Sequence, residues 1–149
     1  MKRLSRIIST CFGIGYFPLA PGTLTSFVVV LLYKYYLFRL SWPLYFGFFV
    51  LTFSAGIYIS GRHAKDLNKS DPRSIVIDEA AGQILALFAL NPTWFLCLLN
   101  FFLFRFFDII KPYPIKKVET FRGGWGIMLD DFVAAVYAGI LINVYLLLK

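Results

Sequence analysis

Two pairs of adjacent carboxylates stand out as the groups in this sequence best placed to do chemistry. Asp78 and Glu79 open the run Ile75-Val76-Ile77-Asp78-Glu79-Ala80-Ala81-Gly82-Gln83. Asp130 and Asp131 close the glycine-rich run Gly123-Gly124-Trp125-Gly126-Ile127-Met128-Leu129-Asp130-Asp131, which reads as a turn delivering both acids to the start of a final helix. A third constellation, Arg105-Phe106-Phe107-Asp108-Ile109-Ile110-Lys111-Pro112, sets Arg105 and Asp108 three residues apart, on one helical face. Pro112 ends that helix near Lys111. Carboxylates drawn from different helices, without His or Cys companions, suit a hard cation such as Mg²⁺, which keeps several waters and bridges to phosphate. The plainer alternatives are that Asp78 and Asp130 cap helices, and that Arg105 and Asp108 form a structural ion pair. Capping alone does not call for paired acids at two helix starts.

Other residue types narrow the chemistry. Phe12-Gly13-Ile14-Gly15-Tyr16-Phe17-Pro18-Leu19-Ala20-Pro21-Gly22-Thr23-Leu24-Thr25-Ser26 could offer backbone N–H groups, and Thr23 with them, to an anion at a helix N-terminus. It equally reads as an ordered turn capped by Thr23 or Ser26. His63 is the only histidine and reads as a solvated member of the basic loop Gly61-Arg62-His63-Ala64-Lys65-Asp66. A phosphohistidine route needs a nucleophilic His and usually a second as acid. Cys97 sits in an apolar run that disfavours a thiolate, and Cys11 has no phosphate loop after it. Neither an Asp-x-Asp pair nor an Asp-Gly-x-x-Ala-Arg pattern occurs. What remains is water activated by a metal.

The elements that must position these groups are apolar. The 149 residues are 59% hydrophobic and 19% aromatic, with 15% charged, more apolar surface than one small soluble domain can hide. Five apolar stretches run over Leu24–Leu40, Pro43–Ser60, Glu79–Leu90, Thr93–Ile110 and Phe132–Leu148. Crossing hydrocarbon takes ~20 residues, so four of them are short spans. The third, ~18 Å long at helical rise, either dips and returns through Asn91-Pro92 or is buried among its neighbours. The expected fold is therefore one all-α membrane domain over residues 1–149, with about four spanning helices and one short helical hairpin element.

Threading the chain through these spans sorts the charges. Twelve of the 15 Lys and Arg residues fall on one side, leaving Lys34, Arg39 and Lys149 on the other. The crowded side is cytoplasmic by the positive-inside rule, which places Met1 inside and Lys149 outside. All eight acids, including Asp66, Asp71 and Glu119, share the crowded side. Topology alone does not demand this, since acids count little in orientation; one polar site at that face does. The net charge of +7 suits an anionic membrane better than nucleic acid, because the aromatics lie in unbroken apolar runs. No secretory leader or cysteine framework is readable. Small residues, Ala80, Ala81, Gly82 and Ala86 after the first acid pair and Ala134, Ala135, Ala138 and Gly139 after the last, would let helices approach closely.

Taken together, Gly15-Tyr16-Phe17-Pro18-Leu19-Ala20-Pro21-Gly22-Thr23, Ile77 to Gln83, Arg105 to Ile115 and Gly124 to Asp131 closely resemble the phosphatidylglycerophosphatase A family, in order and over nearly the whole chain. Leu24-Thr25-Ser26 departs from the family's usual pattern of a bulky residue, glycine and serine. The resemblance implies an all-helical, Mg²⁺-dependent phosphatase of a bacterial inner membrane that converts phosphatidylglycerophosphate to phosphatidylglycerol and phosphate. It carries the acidic site positions onto Asp78, Glu79, Asp108, Asp130 and Asp131, with Arg105 and Lys111 as basic partners. On that reading Asp78, Glu79, Asp130 and Asp131 hold the metal. Arg105 clamps phosphate oxygens and Lys111 adds a point charge. Asp108 either completes the metal shell or orients Arg105. Rival readings are a small ion- or proton-coupled transporter, whose acids would be reached from both sides, and a non-catalytic lipid-binding protein, which needs no cluster of five carboxylates.

Overall fold

Proline, threonine and glycine set the helix ends in the computed structural model, which describes residues 2–69 and 72–149. Met1 and Asp71, both used in the charge argument above, lie outside the described residues. The helices are α1 (Lys2–Ser9), α2 (Pro21–Tyr35), α3 (Trp42–Asp66), α4 (Ile77–Ala86), α5 (Trp94–Ile110), α6 (Ile115–Val118) and α7 (Gly124–Leu147). Short 3₁₀ turns cover Ile14–Tyr16 and Leu37–Arg39. No strand occurs among the described residues. Proline lies in the first turns of α2 and α3, where its missing N–H would have had no intrahelical partner anyway. Thr93 caps α5, its hydroxyl accepting from the Leu96 N–H at 3.3 Å. Lys111 ends α5 in the left-handed region at φ 47°, one residue before Pro112.

The short helix α4 is the middle of the protein. It packs against α2, α3, α5 and α7, and of its ten residues only Glu79 and Leu85 are less than fully buried. The second of the two options for this stretch therefore holds, a hairpin buried among its neighbours. Several polar groups in and around it are paired inside the bundle, as an apolar surrounding favours. Tyr45 donates to the Ile84 carbonyl at 2.6 Å and Tyr33 to the Leu90 carbonyl. Gln83 donates to Asn100 Oδ1 at 2.9 Å, and Asn100 in turn to the Ala86 carbonyl at 2.8 Å.

Two helices, α3 and α7, are long and apolar enough to cross a membrane. The 15 residues of α2 and the 17 of α5 fall short of that criterion. Large apolar side chains nevertheless stay exposed along several helices: Leu44, Phe46 and Leu51 on α3, Phe102 and Phe106 on α5, Ile140 and Leu147 on α7. Surfaces of this kind mark membrane or partner contact, which fits a helical membrane protein.

Several expectations change. The segment around His63 is not a loop: α3 continues helical to Asp66. His63 is buried because α1 lies across it, with His63 Nδ1 2.6 Å from Ser9 Oγ. The glycine-rich run before Asp130 is not a turn but the first turns of α7, so the acid pair sits two turns inside the helix. Neither Thr23 nor Ser26 caps α2; Ala20 holds the cap position in the left-handed region, with no side-chain cap bond. Ala134, Ala135 and Ala138 are buried as expected, but a Cβ on Gly139 would meet nothing within 4 Å. That glycine mediates no close approach.

Candidate active site

Three helices bring the acids together. Asp78 and Glu79 lie in the first turn of α4, where the helix dipole favours negative charge. The preceding residue at the cap position is Val76, so Asp78 is not the cap. Asp130 and Asp131 come from α7, well past its first turn, and do not cap it either. Close helix approach at Gly82 is what lets these pairs meet. A Cβ there would stand 3.1 Å from Asp131 Cβ and 2.7 Å from the Phe104 ring. The third contributor, α5, brings Asp108.

The carboxylates form two overlapping groups. Ligand atoms of Asp78, Glu79 and Asp131 lie within 4.8 Å of one another, as do those of Asp108, Asp130 and Asp131. Asp131 is the shared member. Arg105 and Lys111 each pair with members of these groups. Arg105 Nη1 pairs with Asp108 Oδ2 at 2.7 Å and reaches Glu79 Oε1 at 4.0 Å. Lys111 Nζ pairs with Asp130 Oδ2 at 2.7 Å and with Glu119 Oε1 at 3.0 Å. Burial pulls the Lys111 ammonium toward neutrality, but its bonds to Asp130 and Glu119 outweigh this and hold its pKa above the ordinary lysine value. It is a fixed positive charge.

The donor set fits a hard divalent cation. Glu79 Oε2 and Asp131 Oδ2 are buried with no hydrogen-bond partner. Buried oxygens without donors are costly unless a cation or ordered water meets them, and every nearby ligand atom is a carboxylate oxygen. Arg105 Nε is likewise buried without a hydrogen-bond partner, so its guanidinium keeps a donor in reserve. Cys11 is not poised as a nucleophile: burial first, and the negative charge of Glu79 second, push its thiol up to about 12.

All seven charged residues expected at the site are thus assembled at one end of the bundle. Thr23 is present more loosely. It follows Gly22 in the first turn of α2, and a Cβ on Gly22 would fall 1.9 Å from Glu79 Oε1. The bare backbone of α2's N-terminus therefore abuts the Glu79 carboxylate. Asp108 pairs with Arg105 and also stands among the clustered carboxylate oxygens, a position compatible with either task left open for it. Sequence reasoning gave no role to Glu119, and included Gly22 only in the run whose backbone N–H groups could meet an anion, not as a neighbour of Glu79. Glu119 sits in an irregular segment with no helical spacing to Lys111, and the Gly22 contact joins positions far apart in the chain. A cavity of about 820 Å³ opens beside Asp130, between the end of α3 and residues 119–127.

The chain is similar to known proteins along most of its length. The family model described as phosphatidylglycerophosphatase A matches residues 7–146. A protein of Bacteroides thetaiotaomicron, provisionally named a phosphatidylinositol-3-phosphatase, is 39% identical, over 97% of this chain and 96% of its own. Two proteins named phosphatidylglycerophosphatase A are similar as well. That of Haemophilus influenzae is 38% identical over 91% of this chain and 85% of its own. That of Escherichia coli is 39% identical over 91% and 80%. No solved structure matches the chain.

Proposed function

The chain belongs to the phosphatidylglycerophosphatase A family and is a phosphatase, and from that premise we propose that it hydrolyses the terminal phosphate of phosphatidylglycerophosphate at the cytoplasmic face of a bacterial inner membrane. The observation that carries this reading is the convergence of five carboxylates from three helices with two cations paired to them. An acid cluster of this kind has no affinity for an anionic phosphate by itself; it needs a metal to turn the sign of the site. Asp78, Glu79, Asp130 and Asp131 would hold Mg²⁺, with Asp108 beside them. When bound, the ion supplies charge neutralisation at the phosphate and a more acidic water.

The chain's own residues do the remaining work. Arg105 presents a planar fork to phosphate oxygens, and Asp108 fixes its orientation through the 2.7 Å pair. Lys111 adds a compact positive charge, held in place by Asp130 and Glu119. Thr23 and the N–H groups at the start of α2 face the same end, where a helix N-terminus favours an anion. Residues 1–149 act as one membrane domain. In it α2, α3, α5 and α7 span the bilayer, the shorter two aided by flanking residues, and α4 stays buried among them.

The name of the Bacteroides relative favours a second headgroup for the same chemistry, a phosphoinositide monoester. Phosphate release by the purified protein in mixed micelles tests both. Phosphatidylglycerophosphate should be hydrolysed at least tenfold faster than phosphatidylinositol 3-phosphate, chelation should stop it, and added Mg²⁺ should restore it. Faster release from the inositol lipid would reassign the substrate. Turnover indifferent to chelator would remove the metal. The transporter reading has no observation in its favour: the end of the bundle around Lys34 and Arg39 carries no acid.

A further inference from the structure

Two grooves meet beside the acid cluster. The inner one, about 820 Å³, reaches Asp130 and Glu119 and is edged by Lys65, Lys69 and Arg122. The outer one, about 610 Å³, is lined by Ile57, Tyr58, Arg62, Asp66 and Trp125. Gly61, Lys65, Arg122 and Gly123 line both, so the two are continuous through that point. Close packing explains why a channel survives here. At Gly124 the backbones of α3 and α7 touch, since a Cβ there would fall 1.7 Å from the Ile57 carbonyl oxygen. The side chains are forced apart to either side of this contact.

Chemistry changes along the path. Its outer end carries Tyr58 and Trp125, which are 65% and 54% exposed and are the residue types that settle at a membrane–water boundary. Arg62 donates to the Tyr58 hydroxyl at 2.9 Å, placing a cation just inside that boundary. The middle is basic, with Lys65 and Arg122 exposed to the groove and neither making an ion pair among the described residues. The inner end is the acid cluster. Of the two acids along the path, Glu119 is held by Lys111, and Asp66 stands on the outer side of the junction.

We propose that Lys65 and Arg122 bind a second, internal phosphate of the lipid, so that the enzyme selects phosphomonoester lipids whose headgroup also carries a phosphodiester. This rests on the phosphatase reading above and extends it to selectivity. The order along the path matches such a molecule. Acyl chains leave past Tyr58 and Trp125, the diester phosphate meets Lys65 and Arg122, a glycerol crosses the inner groove, and the monoester phosphate reaches the acid cluster. A lipid with a single phosphate on its diacylglycerol has nothing to place at the junction.

The test compares phosphatidylglycerophosphate with phosphatidic acid, whose only phosphate is the monoester, in the same micelles. Changing Lys65→Gln together with Arg122→Gln should lower the ratio of kcat/KM between the two lipids by roughly tenfold or more, the scale of charge-assisted hydrogen bonds. Most of the change should appear in KM, as for contacts equal in ground and transition states. Restoring charge with Lys65→Arg and Arg122→Lys should recover most of the ratio. Lys116→Gln with Lys117→Gln removes the same charge from exposed residues outside both grooves and should leave the ratio intact. An unchanged ratio in the first variant, or an equal fall in the second, overturns the proposal. Binding of the two lipids measured without Mg²⁺ reads the junction separately from turnover. If the wild-type protein hydrolyses neither lipid yet prefers the two-phosphate one, and the double variant loses that preference, the phosphatase reading fails and the junction stands. Equal binding of both lipids by the wild-type protein sinks the junction.

Discussion

At the scale of single residues, the carboxylates separate function from local structure more cleanly than their positions in sequence suggest. Neither Asp78 nor Asp130 caps its helix, so replacing either by Asn removes charge without removing a cap. Asp78→Asn gives up a favourable dipole interaction of about 0.3–1 kcal/mol and keeps an amide able to hydrogen-bond to Glu79 in the carboxyl's place. In Asp130→Asn, Lys111 keeps Glu119 as its partner at 3.0 Å. Both variants should fold, with thermal unfolding in micelles close to wild type, while phosphate release falls ~10²-fold, the scale for loss of a key electrostatic group. Near-normal turnover in both would end the metal-site proposal. A companion prediction concerns the thiols. Cys11→Ser with Cys97→Ser should keep most activity, since burial and Glu79 hold the Cys11 proton in place and Cys97 is buried inside α5. A folded but inactive double variant would make a thiol the nucleophile. These acids were legible in the sequence because adjacent charges in an apolar chain have few other uses. Glu119 was not, because the irregular backbone that brings it to Lys111 leaves no spacing to read. His63 was misread for the opposite reason: its basic neighbours suggested water, whereas α1 covers it.

At the scale of elements, glycine explains both what the sequence revealed and what it concealed. The run from Gly123 to Gly126 looks like a turn, because glycine weakens helices by ~1 kcal/mol. In the structure Gly123 holds the cap position, and Gly124 and Gly126 are tolerated inside α7 because other backbone occupies the space a side chain would fill. A Cβ on Gly126 would stand 2.2 Å from the Phe121 carbonyl oxygen. The first helix escaped notice because it is only eight residues long, although Leu4, Ile7 and Ile8 share one helical face. It buries Ser5 and Ser9 and leaves Leu4 and Ile7 exposed, so its small polar face, not its apolar stripe, meets the bundle. The core helices were easier, their apolar lengths and proline boundaries being local properties. This contrast yields a paired experiment. Gly82→Ala drives a methyl into the Phe104 ring and toward Asp131, and overpacking of that kind costs typically ~1–3 kcal/mol. We expect a lower unfolding temperature and a disproportionate loss of activity, because Asp131 is displaced. Gly139→Ala, which meets nothing, should be neutral or stabilise by up to ~1 kcal/mol through helix propensity. Equal effects of the two, measured by thermal unfolding and phosphate release, would mean that the α4–α7 contact does not position the site.

At the scale of the whole molecule, the fold and the charge pattern constrain topology independently. The N-terminal end of α2 abuts Glu79 through Gly22, and the C-terminal half of α3 meets the start of α7 where Gly124 touches Ile57. The C-terminal end of α5 brings Asp108 beside Asp130 and Asp131. Each long helix therefore has one end at the acid cluster. At the opposite end Lys34 donates to the Pro92 carbonyl and lies 5.5 Å from the Trp94 ring, with Phe95 packed 6.1 Å from Tyr145. On the proposed reading a bilayer around this bundle leaves only the choice of which end faces the cytoplasm, and the excess of Lys and Arg at the acid end would make that choice. Reporters fused at Lys69 and at Lys117 should both read as cytoplasmic, and one at Lys149 as external. The possible failures are informative in different ways. Lys69 and Glu119 line the same cavity, so opposite readings at Lys69 and Lys117 would contradict the arrangement of helices itself. Two external readings would leave the fold intact but turn the site toward the other leaflet, away from a lipid phosphate made inside the cell.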